Sequence, residues 1–101
     1  MRRGTTPTLR FTTPYCASLI EGGYITFSQR GRTVIEKGLM EEGVTIEDKC
    51  ILVDLTQSET LNLSPVDDLK IQIRCILPGG KRSASNIVRA EITDILKDGE
   101  I

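Results

Sequence analysis

The chain has 101 residues, which is room for one domain, and only 4% of them are aromatic, so its core must be mainly aliphatic. The 27% of charged residues nearly cancel to a formal net charge of −1, which excludes the overall basic excess of typical nucleic-acid and membrane-surface domains. Histidine is absent, and with it the commonest general base near neutral pH and the commonest zinc ligand. We therefore predict a non-enzymatic protein without cofactor or metal.

Residues 1–8 are predicted to form an extended N-terminal arm. They show no hydrophobic periodicity, and Gly4 and Pro7 interrupt regular structure. A frayed terminus is the usual fate of such a segment. Our hypothesis is instead that a neighbouring subunit holds the arm. The candidate assembly contacts within it are Arg2, Arg3, Thr5, Thr6 and Pro7.

The first half of the body reads as a series of short strands. A strand over 9–13 precedes a connection at 14–23, which has room for one helical turn. Arg30-Gly31 then joins a strand over 24–29, with Ile25 and Phe27 inward, to a strand over 33–37. A loop over 38–43 follows. Residues 44–46 and 51–55 are then predicted to form a second hairpin.

Thr56 is the predicted start of a short helix. Glu59 follows three residues later, which is the spacing of a capping box, in which each side chain bonds the other residue's backbone amide. Pro65 ends the helix, because proline cannot continue one.

Residues 69–75 carry the clearest signal in the chain. Apolar Leu69, Ile71, Ile73 and Cys75 alternate with polar residues, which predicts a strand with one dry and one wet face. A turn over 77–81 contains Pro-Gly-Gly. A long last strand is expected over roughly 84–93, and its inward residues would be Val88, Ala90 and Ile92.

Six or seven short strands and one brief helix predict an all-β fold, a small antiparallel β-sandwich of the immunoglobulin or fibronectin type III kind. We expect the sandwich over 9–96 and a polar tail over 97–101, whose last residue, Ile101, is a further candidate assembly contact. Three cysteines without a close pair predict free thiols in a reducing compartment. No long apolar run is present, so no membrane partner is expected.

Two exposed basic segments are candidate contacts. Lys70, Gln72 and Arg74 form a polar stripe on the strand over 69–75. If the stripe continues onto Arg89 and Glu91 of the partner strand, it becomes a ladder of cross-strand pairs. The stripe serves either solubility or interaction. No aromatic residue is expected on this face, which makes nucleic acid an unlikely partner.

The second basic segment lies in Gly79-Gly80-Lys81-Arg82-Ser83. It has the glycines and lysine of a phosphate-binding loop but lacks the spacing, so we interpret it as a hairpin turn whose basic tip, Lys81 and Arg82, is free to contact a phosphate or an acidic neighbour. The early arginines and the acidic middle of the chain also suit head-to-tail contact between copies, although chance can sort charges in this way.

Five stretches in order resemble a family of small uncharacterised proteins from phages and prophages of Gram-positive bacteria, which carry an N-terminal RGTTPT sequence. They are residues 3–8, 55–61, 71–74, 84–87 and 95–101. The resemblance implies a phage origin and a place among virion components, and it brings no catalytic residues. We therefore expect capsid decoration, a connector or a tail component, made in the bacterial cytoplasm and bound to other phage structural proteins or to copies of itself. The alternative is an anti-defence or regulatory binder that blocks a host protein or captures a nucleotide signal.

Overall fold

The structure, a computed structural model, describes residues 1–101 and contains eight strands, one α-helix and two 3₁₀ turns. In chain order the elements are β1 (Thr8–Thr12), a 3₁₀ turn (Ala17–Leu19), β2 (Gly22–Gln29), β3 (Arg32–Gly38), β4 (Val44–Ile46), β5 (Cys50–Asp54), α1 (Gln57–Leu61), β6 (Leu69–Leu77), a second 3₁₀ turn (Pro78–Gly80), β7 (Lys81–Ala84) and β8 (Val88–Ala90).

The strands form two antiparallel sheets. One sheet has three strands in the order β1-β5-β4, and the other has five, in the order β3-β2-β6-β7 with β8 also paired to β6. Buried aliphatic residues from both sheets, such as Ile25 and Ile71 from one and Ile51 and Val53 from the other, belong to one core cluster. The predicted all-β sandwich with one short helix is therefore confirmed.

Strand β6 lies at the centre of the larger sheet, as its alternation predicted. Leu69, Ile71, Ile73 and Cys75 are buried, whereas Lys70 and Arg74 between them are exposed. Because successive side chains of a strand point to opposite faces, the even-numbered residues of β6 form the outer face of this sheet. Its neighbour β2 follows the same rule, with Ile25 and Phe27 buried.

The predicted hairpins are also present. β2 pairs with β3 across the Arg30-Gly31 turn, and β4 pairs with β5 across residues 47–49. The connection over 14–23 holds the 3₁₀ turn in place of a full helical turn. The glycine-rich stretch is the hairpin turn that the sequence predicts, since Gly79 and Gly80 both have positive φ in a 3₁₀ turn between β6 and β7.

The helix α1 begins with the predicted capping box. The Glu59 amide donates to Thr56 Oγ1 at 3.1 Å, and the Thr56 amide donates to Glu59 Oε1 at 2.8 Å. Lys37 Nζ, on a side chain with 10% exposure, donates to the same Glu59 oxygen at 3.0 Å and to Asp54 O at 2.9 Å. One carboxylate therefore caps the helix and ties it to β3.

The prediction of one long last strand is wrong. The strand begins earlier, at Lys81, and is divided into β7 and β8. Between the pairs Arg74↔Ala84 and Ile71↔Val88, β6 advances three residues (74 to 71) and its partner four (84 to 88), so the partner carries a bulge.

The side chain of Ser85 explains the bulge. Ser85 Oγ accepts a hydrogen bond from the Ile73 amide at 3.0 Å, where a strand partner would present a carbonyl oxygen. Beyond this point Val88 is 47% exposed, against the predicted inward position, and Ala90 is half-buried. Ile92 is buried as predicted, although it lies beyond β8.

Candidate interaction surface

The N-terminal arm lies against its own domain. The Met1 ammonium donates to Glu91 O at 2.8 Å, and Arg2 forms a parallel bridge with Thr93. Pro7 O accepts from the Leu55 amide at 3.0 Å. The order of this segment therefore requires no neighbouring subunit.

Arg3 is the centre of these contacts, and its side chain is only 14% exposed. Its guanidinium donates to Leu63 O at 2.9 Å and to Leu61 O at 2.7 Å, at the carboxyl end of α1. It also pairs with Asp94 at 2.8 Å and Asp98 at 3.2 Å. A predicted assembly contact thus joins the N-terminal arm, the helix and the C-terminal tail of one chain.

The local charges agree with this geometry. The hydrogen bond to Asp94 raises the pKa of Arg3 above its ordinary value, and the nearby Asp98 adds to this effect. The pKa of Asp94 is lowered, first by the hydrogen bond from the Ile95 amide and then by Arg3. The ion pair therefore favours the charged form of both groups.

The other predicted arm contacts differ in exposure. Arg2 is exposed and donates to Asp94 O at 2.7 Å, and Thr5 is exposed while its carbonyl accepts from Thr60 Oγ1 at 2.7 Å. Thr6 is exposed and makes no side-chain hydrogen bond, and Pro7 is half-buried. At the opposite end of the chain, the side chain of Ile101 is fully exposed and its amide donates to Gln57 Oε1 at 3.3 Å.

The polar stripe lies on the outer face of the five-stranded sheet. Lys70 and Arg74 are exposed and Gln72 is half-buried. The stripe continues onto Arg89, which is directly paired with Lys70, but not onto Glu91, which lies beyond the end of β8. Like charges that face each other across two strands repel and destabilise the sheet.

Arg82 extends the basic character of this face. It is the cross-strand partner of Ile76, which has the outward parity of β6, whereas Lys81 is the partner of Leu77. The two basic residues therefore point to opposite sides of the sheet and do not form one basic tip. Arg82 Nη1 donates to Gly80 O at 2.6 Å, and no carboxylate pairs with Lys70, Arg74, Arg82 or Arg89.

The expectation that this face lacks aromatic residues is also wrong. Tyr24 is the partner of Arg74 across β2 and β6, and it is 57% exposed. The burial of Ile25 and Phe27, which the sequence predicted, already requires Tyr24 to point outward. The alternation of inward and outward residues along β2 could therefore have predicted an aromatic side chain beside the basic stripe.

A groove of about 630 Å³ runs past Tyr24 on this outer face. Its lining includes Arg74 and Arg82 on one side and, on the other, residues of β3 and the loop that follows it, namely Glu36, Met40 and Glu41. Met40 is 62% exposed. The groove therefore combines two unpaired cations, two carboxylates and two exposed, largely apolar side chains.

A second groove, of about 600 Å³, opens between the edges of the two sheets. Phe11 and Tyr15 line it on the side of β1, and Ile73 and Val88 on the side of the larger sheet. The Tyr15 hydroxyl lies 3.0 Å from Cys75 Sγ, and this contact, with burial, raises the pKa of Tyr15. The lining also includes polar side chains, among them Arg10, Ser83 and Asn86.

No group of three or more His, Cys, Asp or Glu side chains is placed to hold a metal ion, and every buried side-chain nitrogen or oxygen has a hydrogen-bond partner. Cys50 and Cys75 are buried, Cys16 is half-buried, and all three thiols are free. None of the helices has the length and hydrophobicity that a bilayer-spanning helix requires.

No protein-family model and no curated protein matches this sequence. Among solved structures, the chain is similar to the V domain of amphioxus IgVJ-C2, with 16% sequence identity and a TM-score of 0.40 over 94% of this chain and 97% of that chain.

Proposed function

We propose that this protein is a non-enzymatic structural or accessory component of a bacteriophage particle and that it acts by binding other subunits. Its partners are other phage structural proteins, copies of itself, or both, and its place is in the capsid decoration, the connector or the tail. The phage setting rests on the resemblance of the five stretches described above. The mode of action rests on the surface of the larger sheet.

The observation that carries the proposal is the unpaired basic face formed by Lys70, Arg74, Arg82 and Arg89. These four cations share one side of a sheet in a protein whose formal net charge is −1. Lys70 and Arg89 lie directly opposite each other and repel, which disfavours the isolated domain, whereas an acidic partner would convert this repulsion into attraction and guide association. A surface of this kind is expected of a binding protein.

The charged residues that form ion pairs within the domain support the same interpretation. Lys37 and Glu59 join β3 to α1, Arg3 and Asp94 join the two ends of the chain, and Arg30 pairs with Asp67 at 2.8 Å. These pairs fix the architecture. Lys70, Arg74, Arg82 and Arg89 belong to none of these pairs, and on the outer sheet face another molecule can reach them.

The proposal is tested by mass spectrometry of purified phage particles, with the copy number of this protein measured against the major capsid protein. We expect a fixed stoichiometric ratio. A particle preparation that lacks the protein, from cells that contain it, would contradict the proposal. A variant with Lys70→Glu and Arg89→Glu should fold and fail to enter particles, whereas Arg10→Glu, on the other sheet, should be incorporated normally.

A second candidate function is favoured by the groove beside Tyr24. Its volume of about 630 Å³ falls within the usual range for small-molecule sites, and arginines next to an aromatic ring suit a nucleotide. In that case the protein is an anti-defence or regulatory binder that captures a nucleotide signal or blocks a host protein. Synthesis early in infection, together with absence from particles, would favour this function.

A further inference from the structure

We infer that the groove beside Tyr24, together with the basic face that continues from it, binds an extended acidic segment of a partner protein. This inference rests on the proposed function and deepens it, because it names the chemistry of the partner. It concerns the groove lined by Tyr24, Met40, Arg74 and Arg82, and the neighbouring pair Lys70 and Arg89.

The side chains of the groove are of the types that protein interfaces favour. Tyrosine, methionine and arginine are enriched at interface cores, and tyrosine and arginine are frequent among the residues that dominate binding energy. Tyr24 and Met40 are both more than half exposed, so burying them beneath a partner would remove apolar surface from water. The arginines beside them then select a partner of negative charge.

The spacing of the cations suits an extended chain. Outward residues of a strand recur about every 7 Å, so Lys70 and Arg74 lie about 14 Å apart along β6. Arg89 lies beside Lys70, and Arg82 lies beside Ile76, one outward step beyond Arg74. An extended segment also presents alternate side chains at about 7 Å, so carboxylates on alternate residues match this series.

The same groove disfavours nucleic acid. Glu36 and Glu41 line it opposite the arginines, and a phosphate backbone that followed the groove would meet these carboxylates. A protein segment can place its own carboxylates against Arg74 and Arg82 and its amide groups or a cation against the glutamates.

The test is fluorescence anisotropy with a labelled peptide in which glutamate alternates with serine. The controls are a glutamine–serine repeat peptide and an oligothymidylate of the same charge as the glutamate peptide. We expect binding of the glutamate peptide that weakens as salt is added, and at least tenfold weaker binding of both controls. Tighter binding of the oligothymidylate would overturn the inference and assign the face to nucleic acid.

The variant Arg74→Glu with Arg82→Glu should lower the affinity for the glutamate peptide about tenfold or more. The matched control, Arg10→Glu with Lys49→Glu, makes the same charge change on β1 and in the turn between β4 and β5, and it should bind as the wild type does. Circular dichroism and thermal unfolding verify that both variants are folded. Equal losses in the two variants would overturn the inference, because the effect would then be one of net charge.

Two outcomes separate this inference from the proposed function. If the protein is present in particles and the Arg74→Glu, Arg82→Glu variant still enters them, the function stands and the groove is not the contact. If the glutamate peptide binds as expected and the protein is absent from particles, the groove stands and the function fails. Self-association of the wild type that the variant abolishes would assign the groove to a second copy and overturn the inference.

Discussion

At the scale of single residues, Gly23 has the least room for a side chain. Its φ is +143°, and a Cβ atom built there would lie 2.1 Å from Arg74 O and 2.7 Å from Cys75 Cα. We predict that Gly23→Ala destabilises the domain by about 3 kcal/mol or more, since β2 and β6 would have to separate. Urea denaturation measures the change. The adjacent Gly22→Ala is the control, because its Cβ would meet only Ile76 Cδ1, at 3.9 Å, and its cost should be much smaller.

Glu59 links the pH dependence of stability to one carboxylate. Burial alone would raise its pKa, but hydrogen bonds from the Thr56 amide and from Lys37 outweigh burial and lower the pKa below the ordinary 4.5. A lowered pKa in the folded state adds stability above pH 4.5, and this contribution is lost as the pH falls through the folded-state value.

We predict that Glu59→Gln destabilises the protein at pH 7 by about 1–3 kcal/mol, because it leaves the Lys37 ammonium without its counter-charge. The variant should also lose less stability than the wild type between neutral pH and pH 3. Thermal unfolding over this range measures both effects. Thr56→Ala, which removes only the cap and costs about 1 kcal/mol, is the matched control. An unchanged pH profile in Glu59→Gln would contradict the assignment.

At the scale of elements, the clamp formed by Arg3 joins segments that are far apart in sequence. A planar guanidinium can donate to Leu61 O, Leu63 O and Asp94 in one plane, whereas an ammonium is a point donor on a flexible stem. We predict that Arg3→Lys leaves the two sheets folded and raises amide hydrogen exchange over residues 1–4 and 91–98. Because the pKa of Asp94 is lowered, acidification below its ordinary value of 3.8 should release the same segments in the wild type.

Thr6→Ala is the control for this clamp, since the exposed Thr6 side chain makes no hydrogen bond. Unchanged exchange in Arg3→Lys would show that the backbone bonds from Met1 to Thr93 hold the arm without the side chain.

The elements that sequence predicted well are those fixed by local patterns. The alternation of β6, the β4–β5 hairpin and the Thr56–Glu59 capping box each depend on residues a few positions apart. The break in the last strand was not predictable in the same way. It occurs where the Ser85 hydroxyl, in place of a backbone carbonyl, accepts the hydrogen bond from the Ile73 amide. The position of the arm against its own domain was also not predictable, because Arg3 and Asp94 are 91 residues apart in sequence and come together only in the folded chain.

At the scale of the whole molecule, the candidate surface depends on strand order as well as on sequence. The stripe of Lys70 and Arg74 follows from alternation within β6, but its basic excess needs the pairing of β6 with β2, β7 and β8. The bulge after β7 also places Arg89 opposite Lys70, where an unbroken continuation of the β7 register would place Val88. A shift of one residue thus places Arg89 on the outer face beside Lys70.

The repulsion between Lys70 and Arg89 should lower the stability of the domain, while the same two cations should strengthen binding to an acidic partner. We predict that Arg89→Thr raises the free energy of unfolding by about 0.2–1 kcal/mol, because it removes a like charge directly opposite Lys70 and places a β-branched residue on a strand. The same variant should bind the glutamate–serine peptide more weakly. Added salt should reduce the gain in stability, since it screens exposed charges in the wild type.

The control is Arg10→Thr, which makes the same replacement on an edge strand where Arg10 faces Leu52 and no like charge. Any gain there reflects strand propensity alone and should not change with salt. A loss of stability in Arg89→Thr, or a gain equal to that of Arg10→Thr at every salt concentration, would mean that the facing cations do not repel enough to matter. The basic face would then be an ordinary solvated surface, and its four unpaired cations would no longer argue for a partner.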